Sequence, residues 1–221
     1  MFDFDPVQVL VQYFCLLFSL CVHEAAHAAM ANYCGDPSAR LLGRLTLDPR
    51  KHIDPIGTVA FPLLAMITGI PYLFGWAKPV PFNPRNLNNA RRDPVLIAMA
   101  GPASNLLIAL AVTLLLRFLV LTGGVSATAP LASQALVVIC MSMAIINLVL
   151  MLFNLIPVPP LDGHYVVRYF LSPEMEAKFE QIGPFGIIFV ILFAGKLISV
   201  PLNALLGGLL HYVQFGIAGI F

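Results

Sequence analysis

The chain has 221 residues, of which 59% are hydrophobic and only 10% charged, whereas an ordinary soluble domain carries about 25% charged residues. So few charges cannot cover an aqueous surface, which excludes a soluble globular protein and leaves a lipid bilayer as the solvent. A formal net charge of +1, from 12 cations and 11 anions, offers no basic face to a nucleic acid, and the length suits one domain, 1–221, with no additional soluble module.

Between Pro6 and Asp36 the only formally charged side chain is Glu24, and about 20 apolar residues suffice to cross a bilayer core as a helix. This stretch is the first expected membrane helix. The acidic start Met1-Phe2-Asp3-Phe4-Asp5 lacks the positive region of a cleavable signal peptide, so the helix is expected to be retained. Next, Arg40–Leu47 has strand-like stretches and predicts a small interfacial β-hairpin; its edge could accept an extended substrate, or its arginines could simply snorkel. The apolar run Ile56–Trp76 contains Pro62, Gly69, Pro71 and Gly75. Prolines remove backbone donors that lipid cannot replace, so this run is expected to bend back rather than to span.

Pro94–Thr122 and Leu131–Asn154 read as full spans, and no formal charge occurs from Phe118 to Leu161. The last apolar stretch, 183–221, is interrupted near Pro201 and Gly207-Gly208 and fits either one kinked helix or a short helical pair. The fold class expected is an all-α integral membrane protein, a polytopic helical bundle with about five or six membrane segments, one re-entrant, plus the β-hairpin. Arg40, Arg44, Arg50, Lys51, Lys78, Arg85, Arg91 and Arg92 flank the run 56–76. With that run re-entrant, all eight lie on one side, which the bias of Lys and Arg toward the cytoplasm makes the inside.

The first helix contains His23-Glu24-Ala25-Ala26-His27. Histidines at i and i+4 share a helix face and can meet one metal ion, with the intervening Glu close enough to act on the attacking water, as in zinc hydrolases. Random placement of this chain's His and Glu residues would give the pattern in about 0.2% of sequences. A hydrogen-bonded polar pair inside a bundle is the plain alternative, yet three ionisable groups in mid-membrane would then be an unexplained cost. The candidates for a third ligand include His52, His164, His211 and Asp162. Asp162 stands out because it ends a 44-residue uncharged stretch, in Asn154-Leu155-Ile156-Pro157-Val158-Pro159-Pro160-Leu161-Asp162-Gly163, where three prolines break the helix and fix its depth. A re-entrant 56–76 also brings Asp162 to the side of the membrane on which His27 lies. His52 and His164 read as solvated or supporting groups, with His164 placed to orient Asp162. Cys15, Cys21, Cys34 and Cys140 lack ligand spacing.

The two motifs together resemble the site-2 protease family of intramembrane zinc metalloproteases. Gly101-Pro102-Ala103-Ser104-Asn105 and the linker Leu47–Gly57 match as well, so the resemblance covers roughly residues 7–170 and leaves 183–221 as C-terminal membrane structure. It implies one Zn2+ held by His23, His27 and Asp162, with Glu24 as catalytic base. It also implies a membrane-protein substrate cut in or near its transmembrane helix, and a bacterial-type cell membrane with the active site toward the cytoplasm. Asn154 is the first candidate to stabilise the oxyanion or position substrate and Asn105 the second, although Asn105 equally suits helix packing. The chain resembles a compact member, with no helix before the first motif and no PDZ or CBS module. A small ion or proton transporter or channel is the main competing class, and an inactive protease-like scaffold the other. The lack of inverted repeats opposes the former and the intact Glu24 the latter.

Overall fold

A computed structural model describes residues 6–62, 64, 75–125 and 131–214. Helices α1 (Pro6–Tyr33), α2 (Ser38–Leu41), α3 (Asp93–Leu121), α4 (Leu131–Asn154), α5 (Gly163–Phe170), α6 (Pro173–Glu180) and α7 (Gly183–Gln214) follow in chain order. No strand occurs among the described residues. Among the described residues, four stretches, in α1, α3, α4 and α7, are long and apolar enough to cross a membrane. The protein is all-α and built for a bilayer.

Helices α1, α3 and α4 pack on one another, with α7 laid against α3 and α4. Their directions follow from the side-chain contacts. His23 of α1 meets Asn105 of α3, and His27, one turn further along α1, meets Ile97, two turns back along α3; α1 and α3 are therefore antiparallel. Along α4, Asn147 lies beside Ser19 while Asp162, past the end of that helix, reaches His23 and His27, so α4 runs parallel to α1.

The β-hairpin expected at Arg40–Leu47 is not formed. Ser38–Leu41 is a helical turn, closed by Gly43 with φ +70°. Gly43 N–H bonds to the Arg40 carbonyl and Arg44 N–H to the Ala39 carbonyl, the paired bonds of a glycine-terminated helix end. The positive φ that Gly43 supplies breaks the alternation a strand requires. Arg44 does not snorkel either: it is buried, and its guanidinium donates to the Lys78 and Pro79 carbonyls.

The middle of the run 56–76 lies outside the described residues, but its two ends meet. Trp76 N–H bonds to the Gly57 carbonyl and the Thr58 hydroxyl to the Trp76 carbonyl. Tyr13, in the N-terminal half of α1, donates to the Thr58 carbonyl. From there the chain descends beside α1, with Ala77 packed on Leu16 and Leu20, Val80 at Glu24 and Asn83 at Asp36. At the C-terminal end, Gly183–Gln214 is one helix that continues through Pro201 rather than a helical pair; 215–221 lie outside the described residues.

Candidate metal centre

His23 and His27 project from one face of α1, both buried, and Glu24 between them is buried too. Their Nε2 atoms are 3.0 Å apart, and Asp162 Oδ2 lies 3.2 Å from His23 Nε2 and 3.4 Å from His27 Nε2. The three residues expected to bind metal thus place their donor atoms in a nearly equilateral triangle. A tetrahedral zinc ion with bonds of about 2.0–2.1 Å separates neighbouring ligand atoms by about 3.3 Å, so the edges fit. The donor set fits as well. His27 Nδ1 lies 2.7 Å from the Ile97 carbonyl; a carbonyl only accepts, so Nδ1 carries the hydrogen and Nε2 faces the centre with its lone pair. Asp162 Oδ2 is buried without a hydrogen-bond partner, as a ligand oxygen would be.

Local structure holds each of these three side chains. His23 Nδ1 lies 2.6 Å from Asn105 Oδ1 on α3. Asp162 follows the three prolines that stop α4, in a turn whose apolar residues Ile156, Val158 and Leu161 pack against Ile198 and Leu202 of α7. Irregular backbone at membrane depth needs such protein cover. Gly163 allows the turn to double back, since a Cβ there would stand 2.4 Å from the Leu155 carbonyl oxygen.

His164 does not orient Asp162 directly. Its ring is buried, Nδ1 lies 2.6 Å from the Leu161 carbonyl and Nε2 is 3.7 Å from Glu180, so it secures the turn through Leu161. His52 is likewise buried, with Nε2 on the Thr46 carbonyl at 2.8 Å, not solvated. Both carry their rings inward because loop carbonyls there need donors.

Glu24 accepts a hydrogen bond from Val80 N–H on Oε2, at 3.1 Å. Val80 stands between Pro79 and Pro81, which have no N–H, and the Arg44 guanidinium holds the carbonyls of Lys78 and Pro79. The Glu24 carboxylate is therefore held by loop backbone more than 50 residues further along the chain. Asn154 donates to the Leu150 carbonyl of its own helix at 3.0 Å. Asn105 is fully buried, with its Oδ1 toward His23 and its Nδ2 donating to Asn147 Oδ1 at 2.8 Å.

Sequence reasoning missed three contributors, Arg44, Val80 and Asn147, and read helix packing in the Gly101–Asn105 run without placing Gly101 over the imidazoles. A Cβ at Gly101 would lie 2.5 Å from His27 Nε2 and 2.6 Å from His23 Nε2, so this glycine lets α3 close directly over the imidazoles. The GPASN run carried the signal for Gly101, and Asn147, an amide in an otherwise apolar helix, carried its own.

The sequence model of peptidase family M50 matches residues 12–195. The chain is similar to "Putative zinc metalloprotease YwhC" of Bacillus subtilis (strain 168), 40% identical over 183 residues, which cover 82% of this chain and 79% of that protein. It is 30% identical over 210 residues to "Putative zinc metalloprotease Rip2" of Mycobacterium tuberculosis (strain ATCC 25618 / H37Rv), covering 92% and 72% of the two chains. The protein of the same name from Mycolicibacterium smegmatis (strain ATCC 700084 / mc(2)155) is 28% identical over 193 residues, covering 85% and 66%. No solved structure gives a significant match.

Proposed function

The chain belongs to peptidase family M50, and we propose that it uses His23, His27 and Asp162 as zinc ligands and Glu24 as the base that cleaves a membrane-protein substrate in or near its transmembrane helix. The protein is an intramembrane zinc metalloprotease. The observation that carries the site assignment is the triangle of two imidazole nitrogens and one carboxylate oxygen with edges of 3.0, 3.2 and 3.4 Å.

Zinc bound there supplies a Lewis acid that polarises the scissile carbonyl and brings the pKa of water toward about 7. Glu24 takes the proton of the attacking water and returns it to the leaving amine. Val80 N–H occupies Oε2, which leaves Oε1 for that proton. Asn154 is the donor proposed for the oxyanion: an amide NH2 has two hydrogens, and one remains after the bond to Leu150. Asn105 has both ends of its amide engaged within the bundle, which favours a supporting role for it over direct contact with substrate.

His23 and His27 lie ten and six residues before the end of α1, so at 1.5 Å per residue the ligands sit about 9–15 Å inside it. Antiparallel α1 and α3, joined by a segment whose ends meet at Gly57 and Trp76, support a re-entrant 56–76. All eight cations of 34–92 then lie on the side where α1 ends, which supports a cytoplasm-facing site in a bacterial-type membrane. We read 1–221 as one peptidase domain. Substrate helices must unwind before hydrolysis, because their peptide groups are bonded internally. The non-helical run 75–83 beside Glu24, rather than a hairpin at 40–47, is the backbone placed to receive them.

Metal analysis tests the site. Purified wild type should hold one zinc, His23→Ala and Asp162→Ala should hold none, and Glu24→Gln should keep zinc while cleavage falls by about 10²–10⁴. Wild type without stoichiometric zinc, or both ligand variants retaining it, defeats the assignment; full activity in Glu24→Gln rejects the base. Cysteines introduced at Arg50 and Arg85 should label from one face and at Ser126 from the other. Labelling of 50 and 85 from opposite faces overturns the topology. Comparison of membrane proteomes with wild type and Glu24→Gln identifies the substrate as the protein that accumulates uncut.

A further inference from the structure

Three fully buried polar side chains from three helices, Ser19 of α1, Asn105 of α3 and Asn147 of α4, form one ladder that ends at His23. We propose that Asn147 is a positioning residue of the metal centre, fixing the tautomer and rotation of His23 through Asn105 although it touches neither the metal site nor substrate. This inference rests on the zinc reading above and deepens it.

The direction of every bond in the ladder follows from two backbone carbonyls. Ser19 Oγ lies 2.7 Å from the Cys15 carbonyl, which can only accept, so the hydroxyl hydrogen is spent there. Ser19 Oγ must then accept from Asn147, whose Nδ2 lies 2.8 Å away and 2.8 Å from the Met143 carbonyl, a second obligate acceptor. Both amide hydrogens of Asn147 are thereby used, and its Oδ1 is left to accept from Asn105 Nδ2 at 2.8 Å. Asn105 is then fixed with Oδ1 toward His23 Nδ1, at 2.6 Å. An oxygen so placed requires Nδ1–H on His23, and Nε2 turns its lone pair to the centre.

His27 gains the same tautomer from a single backbone carbonyl, that of Ile97. His23 has no such carbonyl and depends on side chains. With Asn147 replaced by an apolar residue, Asn105 Nδ2 loses its acceptor while fully buried. The amide then gains nothing from its present orientation and can turn, presenting N–H to His23 Nδ1 and favouring the wrong tautomer. Partners that orient a ligand histidine typically contribute about 10–100-fold to metal affinity; one step further out, the lower figure is expected.

The experiment uses the full chain in micelles, with Asn147→Leu, Asn147→Asp and, outside the ladder, Thr113→Val, whose hydroxyl donates to the Ala109 carbonyl of its own helix. Asn147→Asp, protonated at this depth, keeps an acceptor for Asn105 and a donor for Ser19. One readout is the His23 tautomer by 15N NMR of metal-free protein; the other is zinc affinity by chelator competition. Asn147→Leu should lose the Nδ1–H form and bind zinc about tenfold more weakly. Asn147→Asp and Thr113→Val should match wild type in both, and Ser19→Ala, the milder break should Asn147→Leu not fold, should shift both in the same direction by less. Wild-type tautomer and affinity in Asn147→Leu overturns the proposal, as does an equal loss in the Leu and Asp variants that tracks their melting temperatures. If wild type binds no zinc, the metal reading fails on its own, and the tautomer measurement still decides whether Asn147 governs His23.

Discussion

Around His23 and His27 the helices meet through glycine, serine and asparagine, whereas along α7 they meet through leucine, isoleucine and valine or turn bare faces outward. The contrast is sharpest in the glycines. A Cβ on Gly101 would stand 2.5 Å from an imidazole nitrogen, while nothing lies within 4 Å of the same position on Gly195, Gly207 or Gly208. Helices in lipid gain little from burying apolar side chains against one another, and close approach through small residues with internal hydrogen bonds is what fixes their relative positions. The bundle is tight where His23, His27 and Asp162 converge, and there α7 takes part through Ile198, Leu202 and Gly186, where a Cβ would stand 2.4 Å from the Pro159 carbonyl oxygen; around Gly195, Gly207 and Gly208 the fit is loose.

The largest expected break in that comparison is Gly101→Ala. Its methyl group meets the two imidazoles proposed to bind zinc at distances that real Cβ atoms do not tolerate, and neither ring can retreat, being tied to Asn105 and Ile97. Zinc content should fall from one per chain to near zero by metal analysis, with the protein still folded. Retention of zinc at wild-type affinity would show that α3 can move away, and the claim of tight fit at the site would fall.

Leu148→Ala probes the other region. Leu148 is buried with Ala109 and Met151 and covered by Leu202, Leu206 and Leu209 of α7. The cavity should cost about 2 kcal/mol, the lower end for such truncations because lipid offers no hydrophobic gain to lose. Thermal melting in detergent should report it, while zinc affinity stays at the wild-type value. A zinc affinity that falls with stability would mean the two regions are not separable.

Asp36 links the site to its loops from outside the spans. Its buried carboxylate accepts from Ser38 Oγ at 2.6 Å and N–H at 3.1 Å, from Asn86 Nδ2 at 2.8 Å and from Asn83 N–H at 2.6 Å. Burial alone would raise this carboxyl, but the hydrogen bonds, that of the Ser38 hydroxyl foremost, outweigh it and hold it below the usual carboxylate range. Such a group stabilises the fold above its ordinary pKa, and the contribution fades as the pH falls through the lowered value. Asp36→Asn should therefore melt earlier than wild type at neutral pH, and the gap should close on acidification below about pH 4. A gap that is constant with pH assigns the loss to shape rather than to charge.

The sequence pointed to the three residues that the fold brings together because chemistry repeats at short range: His23 and His27 are one helical turn apart, and Asp162 is conspicuous after 44 uncharged residues. The same regularity exposed α1, α3 and α4, whose length and apolarity suffice without any partner. What failed was set by one local backbone conformation and by contacts distant in sequence. Arg40–Leu47 alternates well enough for a strand, and only the positive φ of Gly43 turns it into a helix end. Arg44 looks interfacial until the carbonyls of Lys78 and Pro79, more than 30 residues on, are seen beside it. Asn147 is one amide among apolar neighbours, and its meaning depends on Ser19 and Asn105 arriving from two other helices.

The smallest effect should come from Gly207→Ala in α7. With open space at the Cβ position, the added methyl meets no obstacle, and exchanging glycine for alanine in a helix interior favours the helix by about 0.5–1 kcal/mol. The melting temperature should rise slightly or stay level, with zinc content and cleavage unchanged. A fall in cleavage at unchanged zinc content and melting temperature would have a definite meaning: the bare face of α7 would then be in contact with substrate rather than lipid. The loosely packed region would owe its openness to the reaction, and the division between a tight site and an idle cover would have to be redrawn.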